Sequence, residues 1–165
     1  MSAYLDEATK AMRMCLEHSS AQVEGKCESP IEVGLLQGFI ALQLINRQFR
    51  IEGLRLPGEV VSDYDAHVLI QHKIGDFRTD FAVHLTGSKG GKRLNEWIAV
   101  ECDGHEFHER TKEQAARNKA RDRAITTAGY KILRFTGSEI YRSSFACATD
   151  VYLLVRKIIE EWEAE

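Results

Sequence analysis

The chain has 165 residues, of which 44% are hydrophobic and 28% charged, a composition typical of one globular domain and not of a disordered chain. Its formal net charge of -3 excludes a surface that is positive throughout, so any contact with nucleic acid must come from a local basic patch. No apolar stretch approaches the roughly 20 residues of a membrane span. The four cysteines form no CxxC pair. These features predict a cytoplasmic protein with reduced thiols and no membrane contact.

The first part of the chain predicts two helices. Apolar residues at helical spacing predict an N-terminal helix extension within residues 1–20. A second helix begins sharply, because Ser29 offers an N-cap side chain, Pro30 suits the first helical position and Glu32 completes a capping box. We expect this helix to end near Arg47.

Three strands are predicted next. Runs rich in β-formers predict strands over Ala66–His72, Phe77–Leu85 and Glu96–Glu101. A short turn joins the first two strands, and a longer glycine-rich hairpin loop, Thr86–Arg93, is expected between the second and the third. Links this short predict an antiparallel meander.

The last part of the chain predicts a helix over Thr111–Ala128, a strand over Tyr130–Phe135 and a C-terminal helix over residues 144–163. A crossover helix before the final strand favours a parallel pairing with its neighbour. The fold class is therefore α/β, with a mixed sheet flanked by helices. We treat residues 1–165 as a single domain, with a core over residues 28–142.

Two carboxylates stand where the third predicted strand leaves the core. Glu101 and Asp103 share one face of that strand, while Cys102 points to the other face. Two neighbouring carboxylates repel each other and resist leaving water, so they favour a bound divalent cation. Asp80, on the preceding strand, can join them if the two strands are staggered across the hairpin. Carboxylate oxygens suit Mg²⁺ or Mn²⁺, which predicts metal-assisted hydrolysis of phosphodiester bonds.

A string of short motifs runs along the core. Its members are Ser29-Pro30-Ile31-Glu32, Gln71, Arg78-Thr79-Asp80-Phe81-Ala82, Ile98-Ala99-Val100-Glu101-Cys102-Asp103-Gly104 with His105 and His108, Arg121-Asp122-Arg123, and Gly129-Tyr130-Lys131-Ile132-Leu133-Arg134-Phe135. In this order they resemble the PD-(D/E)XK nuclease superfamily, and within it the branch related to very-short-patch-repair endonucleases. The resemblance implies a restriction-endonuclease-like core, α-β-β-β-α-β, that binds a divalent metal and cuts nucleic acid, most often DNA.

The resemblance also implies roles for single residues. Asp80 and Glu101 match the two acids that hold the metal, and Asp103 or Glu32 completes the set of ligands. His108 matches the histidine that assists the attacking water. These five residues form the predicted catalytic site, and three of them, Asp80, Glu101 and Asp103, form the predicted metal site.

One position departs from the superfamily pattern. Asp103 stands where most members have a lysine, although relatives in the same branch also carry an acid there. Lys119 is the nearest replacement for that lysine. Two basic clusters are predicted to contact nucleic acid, and their members are Lys119, Arg121, Arg123, Lys92 and Arg93.

Other interpretations of these residues stay open. A capping box alone explains the position of Glu32, and Asp103 before Gly104 is also a common turn pair. Arg134 is placed to neutralise a buried acid instead of touching substrate. The rival function is an inactive nucleic-acid-binding or protein-interaction module with the nuclease fold. A further possibility is a homodimer or a protein partner, held through the terminal helices.

Overall fold

The computed structural model of the protein describes residues 21, 23, 25–54, 62–104 and 112–164, and for 112–115 it describes the backbone alone. The predicted N-terminal helix within residues 1–20 lies outside this part of the chain. The described elements, in order, are α1 (Pro30–Ile45), β1 (Phe49–Ile51), β2 (Tyr64–Ile74), β3 (Phe77–Lys89), β4 (Lys92–Asp103), α2 (Lys112–Thr127), β5 (Tyr130–Thr136) and α3 (Gly137–Ala164).

Helix α1 begins where its sequence signals place it. Ser29 has an extended backbone with φ of -142°, and its hydroxyl accepts a hydrogen bond from the Glu32 N–H at 3.4 Å. Pro30 occupies the first turn, where its missing N–H would have had no helical partner. The helix ends at Ile45, slightly before the predicted end near Arg47.

The sheet has the strand order β1-β2-β3-β4-β5. Strands β2, β3 and β4 form the predicted antiparallel meander, and β5 is parallel to β4, as the crossover predicted. Strand β1 was not predicted. It is three residues long and adds a parallel edge, with Phe49 paired to Ala66 and Ile51 paired to Val68. The mixed sheet between helices confirms the predicted fold class.

The prediction of a long hairpin loop over Thr86–Arg93 is wrong. Strand β3 continues to Lys89, β4 starts at Lys92, and these two residues pair directly. Only Gly90 and Gly91 form the turn, with φ of 59° and 85°. Left-handed backbone at both central positions suits a two-residue hairpin whose twist matches that of its strands, and glycine adopts it without strain.

The continuous hairpin also corrects the predicted stagger between β3 and β4. Phe81 pairs with Val100 at the end of the ladder, and Asp80 and Glu101 are the residues that follow this pair on their strands. The register therefore brings both residues to the same end of the sheet without a stagger. The tight turn leaves no spare loop residues through which the strands could slip.

Helices cover both faces of the sheet. The first face packs against α1 and α3 in the main core, whose completely buried members include Leu35, Leu36, Phe39, Val68, Phe81, Val83, Ile98, Val151 and Ile159. The second face packs against α2 through a smaller cluster, formed by Ile74, Ala99 and Ile125 with Tyr130 and Ile132 beside them. Burial on both faces explains why Phe81-Ala82-Val83 is a continuous apolar run.

Strand β2 changes faces at Gln71. Ala66, Val68 and Ile70 belong to the main core on the first face, but Ile74 belongs to the cluster on the second face. In a regular strand Ile70 and Ile74 would share a face. Gln71 lies between them with φ of 55°, and it is the one non-glycine residue of the described chain with positive φ.

The two tryptophans lie on opposite faces of the sheet. Trp162 of α3 is buried in the main core. Trp97 is half-buried on the second face, where its ring stacks on His84 at a centroid distance of 3.8 Å and on His72 at 5.0 Å. Among the described helices none is both long and apolar enough to span a membrane.

Helix α3 starts earlier than predicted. It begins at Gly137, and its backbone leaves the helical region once, at Ser143 with φ of -163° and ψ of 90°. The predicted helix over residues 144–163 corresponds to the part that follows this kink. Thr136 and Glu139 cap the new start, because the Glu139 carboxylate accepts hydrogen bonds from the Thr136 N–H at 2.8 Å and from its hydroxyl at 2.7 Å.

Candidate functional site

The predicted acids converge at one end of the sheet. Asp80 enters from the start of β3, and Glu101 and Asp103 from the end of β4. Glu32 reaches the same region from the first turn of α1, and its charge acts on Asp80. This end of the sheet therefore collects acids from three elements that are distant in the sequence.

Asp80 is held by the backbone of the neighbouring strand. Its Oδ2 accepts a hydrogen bond from the Cys102 N–H at 2.7 Å. This bond lowers the pKa of Asp80, but burial raises it more, and the charges of Glu32 and Asp103 raise it further. The pKa of Asp80 consequently lies above its ordinary value.

Glu101 is the most deeply buried of these acids, with 3% of its surface exposed. Both of its carboxylate oxygens accept hydrogen bonds from Arg121 Nη2, at 2.7 and 2.8 Å. The same nitrogen also donates to the carbonyl oxygen of Arg78 at 2.5 Å. Burial raises the pKa of Glu101 and Asp80 adds to this, while the Arg121 charge opposes both; the net direction is upward.

Asp103 lies on the same side of β4 as Glu101, as the alternation of the strand predicted. Its Oδ1 accepts a hydrogen bond from Arg134 Nη1 at 3.2 Å, and the second Arg134 nitrogen binds Asp122 of α2. Arg134 thus neutralises two acids, which is the alternative role that the sequence had left open for it. Cys102 points to the opposite face and packs against the main core.

The Cys102 thiol takes no ionised form here. Burial raises its pKa, and the charges of Asp80 and Glu32 raise it further. A protonated thiol is a poor nucleophile and a poor metal ligand. The carboxylates are therefore the candidate metal ligands at this end of the sheet.

Glu32 has more hydrogen-bond partners than a capping box provides. Its Oε1 accepts from the Ser29 hydroxyl at 2.6 Å, and its Oε2 accepts from the Glu28 N–H at 2.9 Å. A third donor comes from β2, where Gln71 Nε2 binds Oε2 at 2.7 Å. Capping explains the first two bonds, but the bond to Gln71 links the helix to the strand next to Asp80.

The donor chemistry of these acids suits a hard divalent cation. Glu101 is buried and Asp80 is half-buried, and the charge of Asp80 raises the pKa of Glu101, a repulsion that a cation would relieve. The hydrogen-bond partner of the Glu101 carboxylate is Arg121, whereas the Asp80 carboxylate is bound by the Cys102 N–H. Within the described ranges no group of three or more His, Cys, Asp or Glu side chains is arranged to hold a metal ion.

The predicted basic contacts divide between two places. On α2, Lys119 and Arg123 are exposed, whereas Arg121 points inward to Glu101. Lys92 and Arg93 are also exposed, but they lie at the turn end of the hairpin. Nine residues of strand separate Lys92 from Glu101, which corresponds to about 30 Å. The two basic clusters therefore belong to different ends of the molecule.

Two features of the site differ from the prediction. Arg121, and not Lys119, supplies the cation beside the acids. The sequence contained a sign of this, because Ile125 lies four residues later on the same helix face and is completely buried. Gln71 was only a member of the motif string and had no assigned role.

His108 lies outside the described residues, so its predicted role stays a prediction.

Comparison with known families gives one match. A model of the restriction-endonuclease-like family REase_MTES_1575 matches residues 59–153, more than half of the chain. The match includes Asp80, Glu101, Asp103 and Arg121, and it leaves Glu32 outside. Comparisons with curated proteins and with solved structures return no match.

Proposed function

Since the chain belongs to this restriction-endonuclease-like family, we propose that it is an endonuclease that hydrolyses phosphodiester bonds in DNA with Mg²⁺ or Mn²⁺. One observation carries the proposal: Asp80 and Glu101 directly follow the Phe81–Val100 pair that ends the β3–β4 ladder, and burial together with the charges of neighbouring acids raises the pKa values of both. Such an arrangement is unfavourable for folding and is typical of a reaction site.

The acids have defined roles in this proposal. Asp80 and Glu101 would hold the metal ion, with Asp103 as the third carboxylate after Glu101 and Asp103 release their arginine partners. A metal ion bound there supplies positive charge to the phosphate and makes bound water more acidic. In the reaction the water oxygen forms a bond to phosphorus, one P–O ester bond breaks, and the departing oxygen takes up a proton.

The remaining residues act around that centre. Arg121 takes the electrostatic place of the lysine that Asp103 replaces, because its guanidinium is the cation in contact with Glu101. His108 is proposed to accept the proton of the attacking water, on the resemblance alone. Relatives in the branch of very-short-patch-repair endonucleases also carry an acid at the position of Asp103. As part of this proposal, we place the chain closer to that branch and infer a role in DNA repair.

The test is cleavage of supercoiled, linear and single-stranded DNA by the parent protein, Asp80→Asn and Glu101→Gln, with Mg²⁺ or Mn²⁺. Both substitutions preserve size and remove a charge, so we expect cleavage to fall at least 100-fold, and chelation of the metal to stop it. Glu96→Gln is the matched control, because Glu96 lies on the same strand and binds Lys131 at the surface of the protein.

Two results would contradict the proposal. Full cleavage by both charge-removing variants would show that the acids do not carry the reaction. Binding of DNA by the parent without cleavage of any form would favour the inactive binding module, in which the ion pair of Arg121 with Glu101 is permanent.

A further inference from the structure

Gln71 combines three properties that its position in a strand does not explain. Its backbone is left-handed, with φ of 55°. The ladder pairs Ile70 with Phe81 and His72 with Thr79, which leaves Gln71 opposite Asp80. Its side-chain oxygen Oε1 is buried and accepts no hydrogen bond from the described part of the chain.

The backbone conformation is unfavourable for this residue. Glutamine lacks the short side chain that lets asparagine and aspartate adopt left-handed backbone, so the conformation is strained. Strain of this kind persists where the surroundings enforce it, and it concentrates at functional sites. Here it turns β2 over and directs the side chain of Gln71 toward Glu32 on the first face.

The orientation of the amide follows from its partner. Glu32 Oε2 already accepts from the Glu28 N–H, and an ionised carboxylate only accepts hydrogen bonds. The group of Gln71 at 2.7 Å from Oε2 must therefore be the Nε2 donor. Oε1 of Gln71 is then the atom without a hydrogen bond. The ionised carboxylate of Glu32 beside it has no proton to donate.

No donor in the described part of the chain reaches this buried oxygen. Leaving such an oxygen without a hydrogen bond costs about 1–3 kcal/mol, so the position favours a bound group that can donate one. A water molecule has two O–H groups, enough to serve Gln71 and a carboxylate at once. Hydrolysis requires such a water next to the phosphate.

We propose that Gln71 is a further catalytic residue, whose Nε2 fixes Glu32 beside Asp80 and whose Oε1 accepts a hydrogen bond from the hydrolytic water. This inference rests on the proposed function. Gln71 orients the water and takes no proton, so its contribution belongs to kcat and not to substrate binding. The strained backbone is what allows a strand residue to reach both neighbours.

The test compares the parent with Gln71→Gly and Gln71→Asn, which both tolerate left-handed backbone. Glycine removes the side-chain amide, and asparagine keeps an amide on a side chain that is shorter by one methylene group. We expect kcat to fall at least tenfold in Gln71→Gly and by less in Gln71→Asn, with KM changed less than twofold. The Tm of both variants should equal or exceed that of the parent, because the backbone strain is relieved.

A fall in kcat without a fall in Tm separates a catalytic role of Gln71 from a structural one. Lys73→Gly is the control for glycine in the same strand, because Lys73 is exposed; it should lower Tm and leave kcat unchanged. If the parent cleaves DNA and Gln71→Gly has the same kcat, the inference is wrong and the nuclease proposal stands. If the parent neither cleaves DNA nor binds Mn²⁺ in calorimetry, both are overturned.

Discussion

At the scale of single residues, Asp80 is placed where its charge opposes folding. Burial and the charge of Glu32 hold the pKa of Asp80 above its ordinary value of 3.8, even though the Cys102 N–H binds the carboxylate. A carboxyl whose pKa is raised on folding contributes most stability when protonated, below its unfolded pKa. That contribution is lost as the pH rises through the raised pKa of the folded state. Ionisation of Asp80 in the folded protein therefore lowers the stability of the fold.

Asp80→Asn should accordingly stabilise the fold while it removes activity. The amide keeps an acceptor for the Cys102 N–H and removes the repulsion from neighbouring acids. We expect a gain of about 1 kcal/mol at pH 7, the typical size of stabilising substitutions at functional sites, and a Tm higher by about 2–4 °C. The gain should shrink as the pH falls through the raised pKa of the folded parent toward the unfolded value of 3.8, because Asp80 of the folded parent becomes protonated over that range.

Thermal and urea denaturation at pH 7 and at pH 4 measure this difference. Asp76→Asn serves as the control, because Asp76 is an exposed acid in the turn before β3 and its replacement should change little. A parent more stable than Asp80→Asn at pH 7 would show that the carboxylate is stabilised by its surroundings, contrary to the raised pKa.

At the scale of elements, α1 and α3 pack at unusually close range through Gly38. A Cβ at this position would lie 2.5 Å from the carbonyl oxygen of Ser144 and 3.0 Å from the Cβ of Ala148. The first of these neighbours is backbone and cannot rotate away. The glycine therefore sets the separation of the two helices that cover the main core.

Gly38→Ala should destabilise the protein by about 2 kcal/mol, because the helices must move apart and the main core loses contact. Gly34→Ala is the matched control in the same helix, since its Cβ would meet only the Ile140 Cγ2 at 3.2 Å and alanine favours helix. It should be near neutral or stabilising. Urea denaturation measures the free energy of unfolding of both variants. Equal stability of the two would show that α1 and α3 can move apart at no cost, contrary to the prediction.

The sequence predicted those elements whose signals are local. The start of α1 follows from Ser29, Pro30 and Glu32 alone, and it was predicted correctly. The start of α3 had a similar signal in Thr136 and Glu139, but this signal was not used, and the helix was predicted to start at residue 144. Local capping signals were therefore present at both helix starts.

Features that depend on pairing between distant residues were not predictable. The reversal of β2 at Gln71 exists because the strand pairs around Asp80 and reaches Glu32, and no periodicity within β2 shows it. The acids of the site were identified by their order in the chain. Their arginine partners were not, because an ion pair such as Arg121 with Glu101 depends on how α2 crosses the sheet.

At the scale of the whole molecule, charge is separated along the hairpin. Lys119 and Arg123 lie four residues apart on one exposed side of α2, near the candidate site. Lys92 and Arg93 lie about 30 Å from Glu101, as far as about nine base pairs of duplex. The first pair belongs to the helix that supplies Arg121 to the candidate site, so we expect this pair, and not the second, to contact nucleic acid near the acids.

The double substitution of Lys119 and Arg123 by alanine should therefore weaken DNA binding and reduce its dependence on salt. Each lost phosphate contact lowers the slope of log K against log salt concentration by about 0.9, so the expected change is about 2. Fluorescence anisotropy over a range of KCl concentrations measures it. The same double substitution of Lys92 and Arg93 should leave the slope unchanged, and the reverse outcome would place the DNA at the other end of the sheet.

The turn formed by Gly90 and Gly91 is a position at which the chain can accept an insertion. Both glycines are exposed, and a Cβ at either position would find no neighbouring atom within 4 Å. Insertions succeed at such exposed loop tips. Evolution or an engineer can therefore graft a separate recognition module into this turn while the acids, about 30 Å away along the same hairpin, keep their register. The hairpin offers one end for chemistry and the other for acquiring new specificity.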